Sequence, residues 1–210
     1  MIYRFYEYLL KRQITELPGH VCFMIDGEDM AQAPENLFHI TTWCNELSGF
    51  VASHNSTSRS QIHGLTFHIG MPFQKDLDKF LPSIRKIGTI AHLVIHAAGD
   101  QKEIAGTGME VVVAIGKSGR EEITACIRKM AEESVTPEEV DEKMIESYLT
   151  FKCTPDIIIK SGGDHLTDFL IWQSVYSELF FSDVNWKYFR KVDFLRVMRD
   201  YQSRIRRFGK

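Results

Sequence analysis

The stretch Pro155 to Trp186, PDIIIKSGGDHLTDFLIWQSVYSELFFSDVNW, predicts how the rest of the chain is arranged. It opens with a short β-branched apolar run, Asp156 to Ile159, which is typical of a buried parallel strand. A polar loop with two adjacent glycines follows, Lys160 to His165, and Thr167 to Leu179 then carries apolar residues at helical spacing. A strand that passes through such a turn into a helix favours an anion site, because backbone N–H groups and the helix N-terminus face the ligand.

Most turns of this kind are plain connectors, so the pattern alone gives a weak signal, but its letters are more specific. They resemble the signature region of the cis-prenyltransferases, the undecaprenyl diphosphate synthase family. There a strand ending in Ile-Arg leads into Thr/Ser-Gly-Gly-Glu, then Arg-x-Ser-Asn-Phe-Leu-x-Trp-Gln, then Tyr-x-Glu-Leu-x-Phe. The matching residues here are Ile159, Ser161, Gly162, Gly163, Phe169, Leu170, Trp172, Gln173, Tyr176, Glu178, Leu179 and Phe181.

A second match lies in the first apolar run, His20 to Gly27. An aspartate at the carboxyl end of a parallel strand lies where α/β folds bind ligands. The family pattern here is an apolar run followed by Met-Asp-Gly-Asn-x-Arg-Trp-Ala, with which Asp26 and Gly27 agree. The next residues, Glu28 to Met30, depart from it, and the phosphate-binding arginine is absent. Since a cation holds a diphosphate through charge-assisted hydrogen bonds, the departure predicts a weaker diphosphate site or a different way of holding the ligand.

Length and composition indicate an ordinary globular chain, with 210 residues, 44% hydrophobic content, 25% charged content and a formal net charge of −3. At that length one domain, 1–210, is expected. The charge gives no general attraction to nucleic acid. The four cysteines, Cys22, Cys44, Cys126 and Cys153, show no CxxC spacing, so reduced core cysteines of a cytosolic protein are expected. No run has the length of a transmembrane helix, and the N-terminus has no signal-peptide pattern.

Apolar runs alternate with helical patterns along the chain. This predicts an α/β fold whose mainly parallel central sheet, of about six strands, is flanked by helices, as in a cis-prenyltransferase. The predicted strands are His20 to Gly27, Gly64 to Gly70, Ala91 to Ala97, Met109 to Ile115 and Asp156 to Ile159. The predicted helices, besides the one in the signature stretch, are Ile2 to Gln13, Glu35 to Phe50, Asp76 to Lys86, Arg120 to Glu133, Pro137 to Tyr148 and Lys187 to Lys210.

The resemblance implies an enzyme, a prenyltransferase that moves an alkyl group other than methyl. Asp26 would be catalytic and would hold Mg²⁺, with Glu178 of a neighbouring subunit and His165 completing the metal site. Such a site suits the chemistry, because breaking an allylic C–O bond builds negative charge on the diphosphate. The implied substrate-binding residues are Gly27, Lys160, Ser161, Gly162, Gly163 and Thr167, together with Arg207 and Gly209 of a C-terminal Arg-x-Gly motif.

The part of the family site that grips isopentenyl diphosphate is altered. Lys160 replaces the first arginine, the second arginine is missing, Thr167 replaces a serine and Asp164 replaces a glutamate. Lysine keeps the charge but loses the bidentate fork of arginine. We therefore expect an enzyme that activates dimethylallyl, geranyl or farnesyl diphosphate but elongates poorly. Its acceptor would be a non-standard one, such as a second allylic diphosphate or a small alcohol.

The resemblance also implies a homodimer, because Glu178 to Trp186 and the basic tail belong to the family's dimer interface. At most a peripheral membrane contact is expected for a cytoplasmic protein; the aromatic side of the N-terminal helix could lie on lipid, but packing on its own domain is the favoured interpretation. The main alternative is a non-catalytic partner subunit of a heteromeric cis-prenyltransferase, the Nogo-B receptor type, which lacks the first signature and keeps the C-terminal motif. The retained Asp26 favours the enzyme. A generic α/β binding module is a third possibility.

Overall fold

A computed structural model describes residues 2–54, 59–70, 77–97, 99–162 and 168–204. The helices and strands, in chain order, are α1 (Ile2–Gln13), β1 (His20–Asp26), α2 (Gly27–Gln32), α3 (Asn36–His54), β2 (Gly64–Gly70), α4 (Leu77–Arg85), β3 (His92–Ala97), β4 (Asp100–Ile104), β5 (Glu110–Ile115), α5 (Gly119–Glu132), α6 (Glu142–Tyr148), β6 (Ile157–Ser161), β7 (Glu178–Ser182) and α7 (Lys191–Ser203). Short 3₁₀ turns lie at Lys86–Thr89, Pro137–Glu139 and Trp186–Tyr188.

Within the described residues, seven strands form one sheet in the order β4-β3-β5-β2-β1-β6-β7. All neighbouring strands run parallel except β3 and β4, which are antiparallel. From β1 the chain proceeds to β2 on one side, and it later returns to place β6 on the other side of β1. The carboxyl ends of β1 and β6 therefore flank a topological switch point, which is where open α/β sheets bind ligands.

The first face of the sheet, toward which Phe23 points, carries the larger core. Helices α1, α3, α4 and α7 supply its apolar side chains; on α3 these include Leu37, Ile40, Cys44 and Leu47, which are fully buried, and Trp43, which is partly buried. The rings of Phe23, Phe67 and Trp186 fill its centre, with centroids 5.8, 6.2 and 6.5 Å apart. The face is therefore closely packed along β1 and β2.

The second face, toward which Met24 points, carries a smaller core. Cys22, Met24 and Ile158 meet Phe151 and Phe169 there. A satellite cluster joins α5 to α6, with Cys126 and Met130 at its centre. All four cysteines are free thiols, and three of them are buried, as the sequence predicted.

The α/β class and the mainly parallel sheet are confirmed, but the sheet has two strands that the sequence did not predict. β4, with the sequence DQKEI, is almost wholly exposed, so it shows no apolar alternation. β7, with the sequence ELFFS, alternates between exposed and less exposed residues on the outermost strand of the sheet. It lies where the apolar spacing favoured the end of a helix.

The predicted helix over Thr167 to Leu179 is wrong. Residues 168–177 form bends and turns, and β7 begins at Glu178. Leu170 has φ +54°, a left-handed conformation that a right-handed α-helix cannot contain. One backbone bond of the helical i→i+4 type, from Ser174 N to Leu170 O at 2.9 Å, lies within this stretch.

The other predicted helices are confirmed with shifted ends, and α1 has the predicted bounds. Thr136 donates its backbone N–H and its hydroxyl to the Glu139 carboxylate over a 3₁₀ turn, and α6 starts later, at Glu142. The last predicted helix reaches only from Lys191 to Ser203 in the described part of the chain. No helix among the described residues is long and apolar enough to cross a membrane.

Candidate active site

The ends of β1 and β6 bring Asp26 and Lys160 together. Met24 of β1 pairs with Lys160 of β6. Because side chains alternate along a strand, Asp26 points to the same face as Met24, so Asp26 and Lys160 both lie on the second face at the carboxyl ends of their strands. Lys160 Nζ donates to Asp26 Oδ2 across 2.8 Å. The side chain of Lys160 is 4% exposed and that of Asp26 is 53% exposed. The pair therefore has one buried, cationic end and one end open to a ligand.

Helix α2 begins directly after Asp26, at Gly27. The Asp26 carboxylate does not cap this helix, so it remains available to Lys160 and to solvent. Met30, close to the position of the family's phosphate-binding arginine, is fully buried in the core of the first face. The side chain that could hold a phosphate is thus replaced by one that packs the interior.

The other two residues of this turn are acidic. Glu28 is exposed and Asp29 is partly buried. Burial, and then the neighbouring Asp26 carboxylate, raise the pKa of Asp29, while Lys160 opposes the shift. With Asp26 the turn carries three carboxylates beside one ammonium group. Its potential therefore favours cations over a second anionic substrate.

The loop after β6 approaches this acidic turn. Gly162 has φ +68°, and a β-carbon there would lie 3.1 Å from Asp29 Oδ2, so glycine fits this position best. Ser161, just before it, is fully buried, and its hydroxyl has no hydrogen-bond partner in the part of the chain that the structure describes. Gly162 is thus placed beside the turn, whereas Ser161 points into the protein.

His68 is a site residue that the sequence analysis missed. It lies on β2, and its charge interactions include Asp26, Lys160 and Asp168. Its ring stacks on Phe169, with centroids 4.1 Å apart, and its Nε2 donates to Lys117 O at 2.8 Å. Burial lowers the pKa of His68 to about 4, so the ring is neutral at pH 7. The available signal in the sequence was its position two residues before the end of β2, which places His68 on the same face as the last residue of the strand.

Asp168 ties the signature stretch to the start of α5. Its carboxylate accepts from the Ser118 hydroxyl at 2.6 Å, and its carbonyl accepts from the backbone N–H of Gly119. Ser118 also caps α5 by accepting from the N–H of Glu121. These bonds hold Phe169 against His68 and so fix one wall of the site.

Glu178 lies at the amino ends of the strands, whereas Asp26 lies at their carboxyl ends. It pairs with Ile157 at the start of β6, and its carboxylate contacts Arg204 Nη1 at 3.3 Å. One copy of the chain therefore does not bring these two expected metal ligands together. The remaining predicted site residues lie outside the described part of the chain: Gly163, His165, Thr167, Arg207 and Gly209.

The described residues form no group of three or more metal-ligating side chains. The open end of Asp26 nevertheless fits the usual mode of Mg²⁺ binding, in which one or two carboxylates, substrate phosphates and waters share the ion. Its Oδ2 is already held by Lys160. The residues present thus suit a metal that arrives with a diphosphate better than a preformed metal site.

Two cavities described by the structure lie away from this turn. One, of about 610 Å³, is lined by residues that include Leu149, Trp172 and Tyr176. The other, of about 530 Å³, opens at the amino ends of the strands beside His20 and Asp156.

Comparison with known proteins gives consistent matches. The family model for undecaprenyl diphosphate synthase (Prenyltransf) matches residues 79–209, a range that leaves out Asp26 and Gly27. A tritrans,polycis-undecaprenyl-diphosphate synthase (geranylgeranyl-diphosphate specific) from Picrophilus torridus is 29% identical over 98% of this chain and 96% of its own. The (2Z,6E)-farnesyl diphosphate synthase of Mycolicibacterium smegmatis is 26% identical over 99% of this chain and 95% of its own.

A crystal structure of lavandulyl diphosphate synthase from Lavandula x intermedia, in complex with dimethylallyl diphosphate, shares the fold. It has a TM-score of 0.65 and 21% identity, over 92% of this chain and 99% of that one. The alignment with the Picrophilus protein spans 245 positions although this chain has 210 residues, so part of that relative has no counterpart here.

Proposed function

Since the chain belongs to the undecaprenyl diphosphate synthase family of prenyltransferases, we propose that it ionises a short allylic diphosphate and transfers the prenyl group to an acceptor. The observation that carries the proposal is the half-exposed carboxylate of Asp26 at the switch point between β1 and β6. The match of the whole chain to relatives that are named as prenyl diphosphate synthases supports it. The proposal treats residues 1–210 as one domain.

The residues in and around the turn would have different parts at the diphosphate end of the substrate. The allylic C–O bond breaks with its electron pair passing to the diphosphate, and the acceptor then bonds to the allylic carbon and loses a proton, which the released diphosphate or water takes. Asp26 would position the diphosphate only through a cation that both share, since a carboxylate repels a diphosphate, while the loop at Gly162 lets backbone groups approach it. His68 is neutral and packed, so it shapes the wall and does not neutralise charge.

We propose Asp26 as the side chain that holds Mg²⁺ here, with Glu178 of a second copy, His165 and the diphosphate oxygens as further ligands. When bound, the ion would supply charge neutralisation at the leaving group. The proposed substrate contacts remain Gly27, Lys160, Ser161, Gly162, Gly163, Thr167, Arg207 and Gly209.

Two features support an altered acceptor and short products. The acidic turn and the loss of the arginine weaken the hold on a second diphosphate such as isopentenyl diphosphate. In the family, the helix that corresponds to α3 lines the prenyl tunnel. In this chain α3 packs on the first face, which is closed by the buried rings of Phe23, Phe67 and Trp186. A long chain would have to displace that packing, whereas a short prenyl group would not.

Association with a second copy and with a membrane surface are further parts of the proposal, for a cytoplasmic protein. Helix α1 exposes Phe5, Tyr8 and Leu9, with Arg12 stacked over the Tyr8 ring at 5.9 Å. Exposed aromatic and aliphatic residues beside a cation suit the interface of an anionic bilayer.

A non-catalytic partner subunit is the second candidate function. It is favoured by the family match, which starts at residue 79 and so leaves out the Asp26 turn. It is also favoured by Met30, which packs the core where the family has a phosphate ligand. The two candidates differ in whether the isolated chain turns over substrate.

The test is an assay of the purified chain with dimethylallyl, geranyl and farnesyl diphosphates and Mg²⁺, with and without isopentenyl diphosphate, followed by mass spectrometry. We expect short or unusual prenylated products that disappear in Asp26→Asn and persist in the exposed control Asp78→Asn. Long polyprenyl products formed at ordinary efficiency would contradict the altered acceptor. No turnover under any condition would favour the partner subunit, which should then co-purify with a catalytic chain.

A further inference from the structure

Lys160 is an unusual residue to find buried near the end of an inner strand. It is 3% exposed and is flanked along β6 by Ile159 and Ser161, both fully buried. Its neighbours across the sheet are Met24 of β1 and Phe181 of β7. A lysine is almost never buried this deeply unless its charge is paired, because removal of an ammonium group from water is costly.

The partner of this ammonium is Asp26, at 2.8 Å. The two ends of the pair differ, since the lysine side is enclosed and the carboxylate side is half open. The pairing therefore stabilises the charge of Lys160 more than that of Asp26, because only the lysine is shielded from water. Loss of the carboxylate would leave a buried charge unpaired, whereas loss of the lysine would leave a carboxylate that water can solvate.

The pair has a direct consequence for cation binding. A divalent ion on Asp26 would have to share its carboxylate with an ammonium group that already holds Oδ2. The two like charges would lie only a few ångströms apart in a partly buried site, where screening by water is weak. Asp29, whose carboxylate lies beside Gly162, is partly buried next to Asp26, and both facts disfavour its charged form, so it does not offset this repulsion by itself.

We propose that Lys160 is an internal cation that suppresses the binding of divalent metal to Asp26 in the free chain. Its removal uncovers a divalent-cation site at the Asp26–Asp29 turn. The inference rests on the proposed function in taking Asp26 as the site carboxylate, but it concerns metal affinity alone. Lys160 would thus decide whether the Asp26 carboxylate can bind a divalent cation.

The experiment measures Mn²⁺ binding to the full-length chain without any diphosphate, from the electron paramagnetic resonance signal of free Mn²⁺. In Lys160→Met, whose unbranched side chain suits the buried position, we expect at least tenfold tighter binding than in the wild type. The double variant Lys160→Met with Asp26→Asn should lose that gain. The exposed control Lys102→Met, on β4, should bind as the wild type does.

Equal Mn²⁺ affinity in the wild type and Lys160→Met, or a gain that survives Asp26→Asn, would overturn the proposal. Lys160→Gln provides a second neutral variant, and urea unfolding of each variant shows whether it is folded. The readout needs no turnover, so its outcome is separate from that of the proposed function. A chain without transferase activity that still gains Mn²⁺ affinity in Lys160→Met would refute the function and support the inference.

Discussion

Burial decides the charge of His68. In the unfolded chain a histidine titrates near pH 6.5, whereas burial lowers the pKa of His68 to about 4 in the folded protein. Between those values the unfolded chain binds a proton that the folded chain does not. The free energy of unfolding therefore falls as the pH falls through this window, and His68 contributes its full stability only above about pH 6.5.

Replacement of His68 by glutamine should remove this share of the pH dependence. Between pH 7 and pH 4.5 we expect the free energy of unfolding of the wild type to fall by about 2 kcal/mol more than that of His68→Gln. Urea unfolding at the two pH values measures both changes. Equal losses in the two proteins would show that the ring is protonated as readily in the folded chain as in the unfolded one.

The letters of the sequence identified Asp26, Gly27, Lys160 and Gly162 as site candidates, and the structure places all four at one edge. The sequence did not predict that Lys160 would pair with Asp26, because 134 residues separate them and the register of β1 against β6 depends on tertiary packing. Strand alternation alone did not single out His68, because its place in the site depends on the stacking of Phe169.

At the scale of elements, β-branched apolar runs were sufficient to locate five strands. They failed for β4, because an exposed polar strand pairs through its backbone with β3 and carries no apolar alternation. They also failed for β7, because the apolar residues before it are spaced in the sequence as in a helix, although residues 168–177 form bends and turns. In both places pairing with another strand, the adjacent β3 or the more distant β6, decides the local structure.

One contact between elements links the site turn to the other end of the chain. Trp186 Nε1 donates to Ala33 O at 2.8 Å, and Asn36 Nδ2 donates to Trp186 O at 2.7 Å. These bonds fasten the connection between α2 and α3 to the 3₁₀ turn that follows β7. Because α2 begins at Gly27, the same contact helps to hold the site turn in place.

We expect Trp186→Phe to lower the free energy of unfolding by about 1–2 kcal/mol, through the lost hydrogen bond and the volume left unfilled. The carbonyl of Ala33 keeps a second donor, the backbone N–H of Asn36, which limits the loss. Denaturant unfolding measures it. Trp43, which is partly buried, provides the control, and an equal loss in Trp43→Phe would show that the link made by Trp186 has no special weight.

At the scale of the whole molecule, the outer edge of the sheet is apolar and open. Val175 and Tyr176, in the turn before β7, are 69% and 62% exposed, and Leu179 and Phe181 of β7 are 39% and 44% exposed. In the described part of the chain β7 pairs with β6 alone, so it is an edge strand. An exposed apolar patch on a sheet edge is typical of a surface that binds another protein.

We expect this patch to join two copies of the chain, because Glu178 starts β7 within it and does not reach Asp26 of its own copy. Size-exclusion chromatography with light scattering should give twice the 24.2 kDa chain mass for the wild type. Phe181→Glu should give the monomer, since a carboxylate in an apolar interface remains without a partner. Ile127→Glu, at an exposed site on α5, should remain dimeric. A monomeric wild type, or a dimeric Phe181→Glu, would exclude this interface and leave Glu178 with no route to the site.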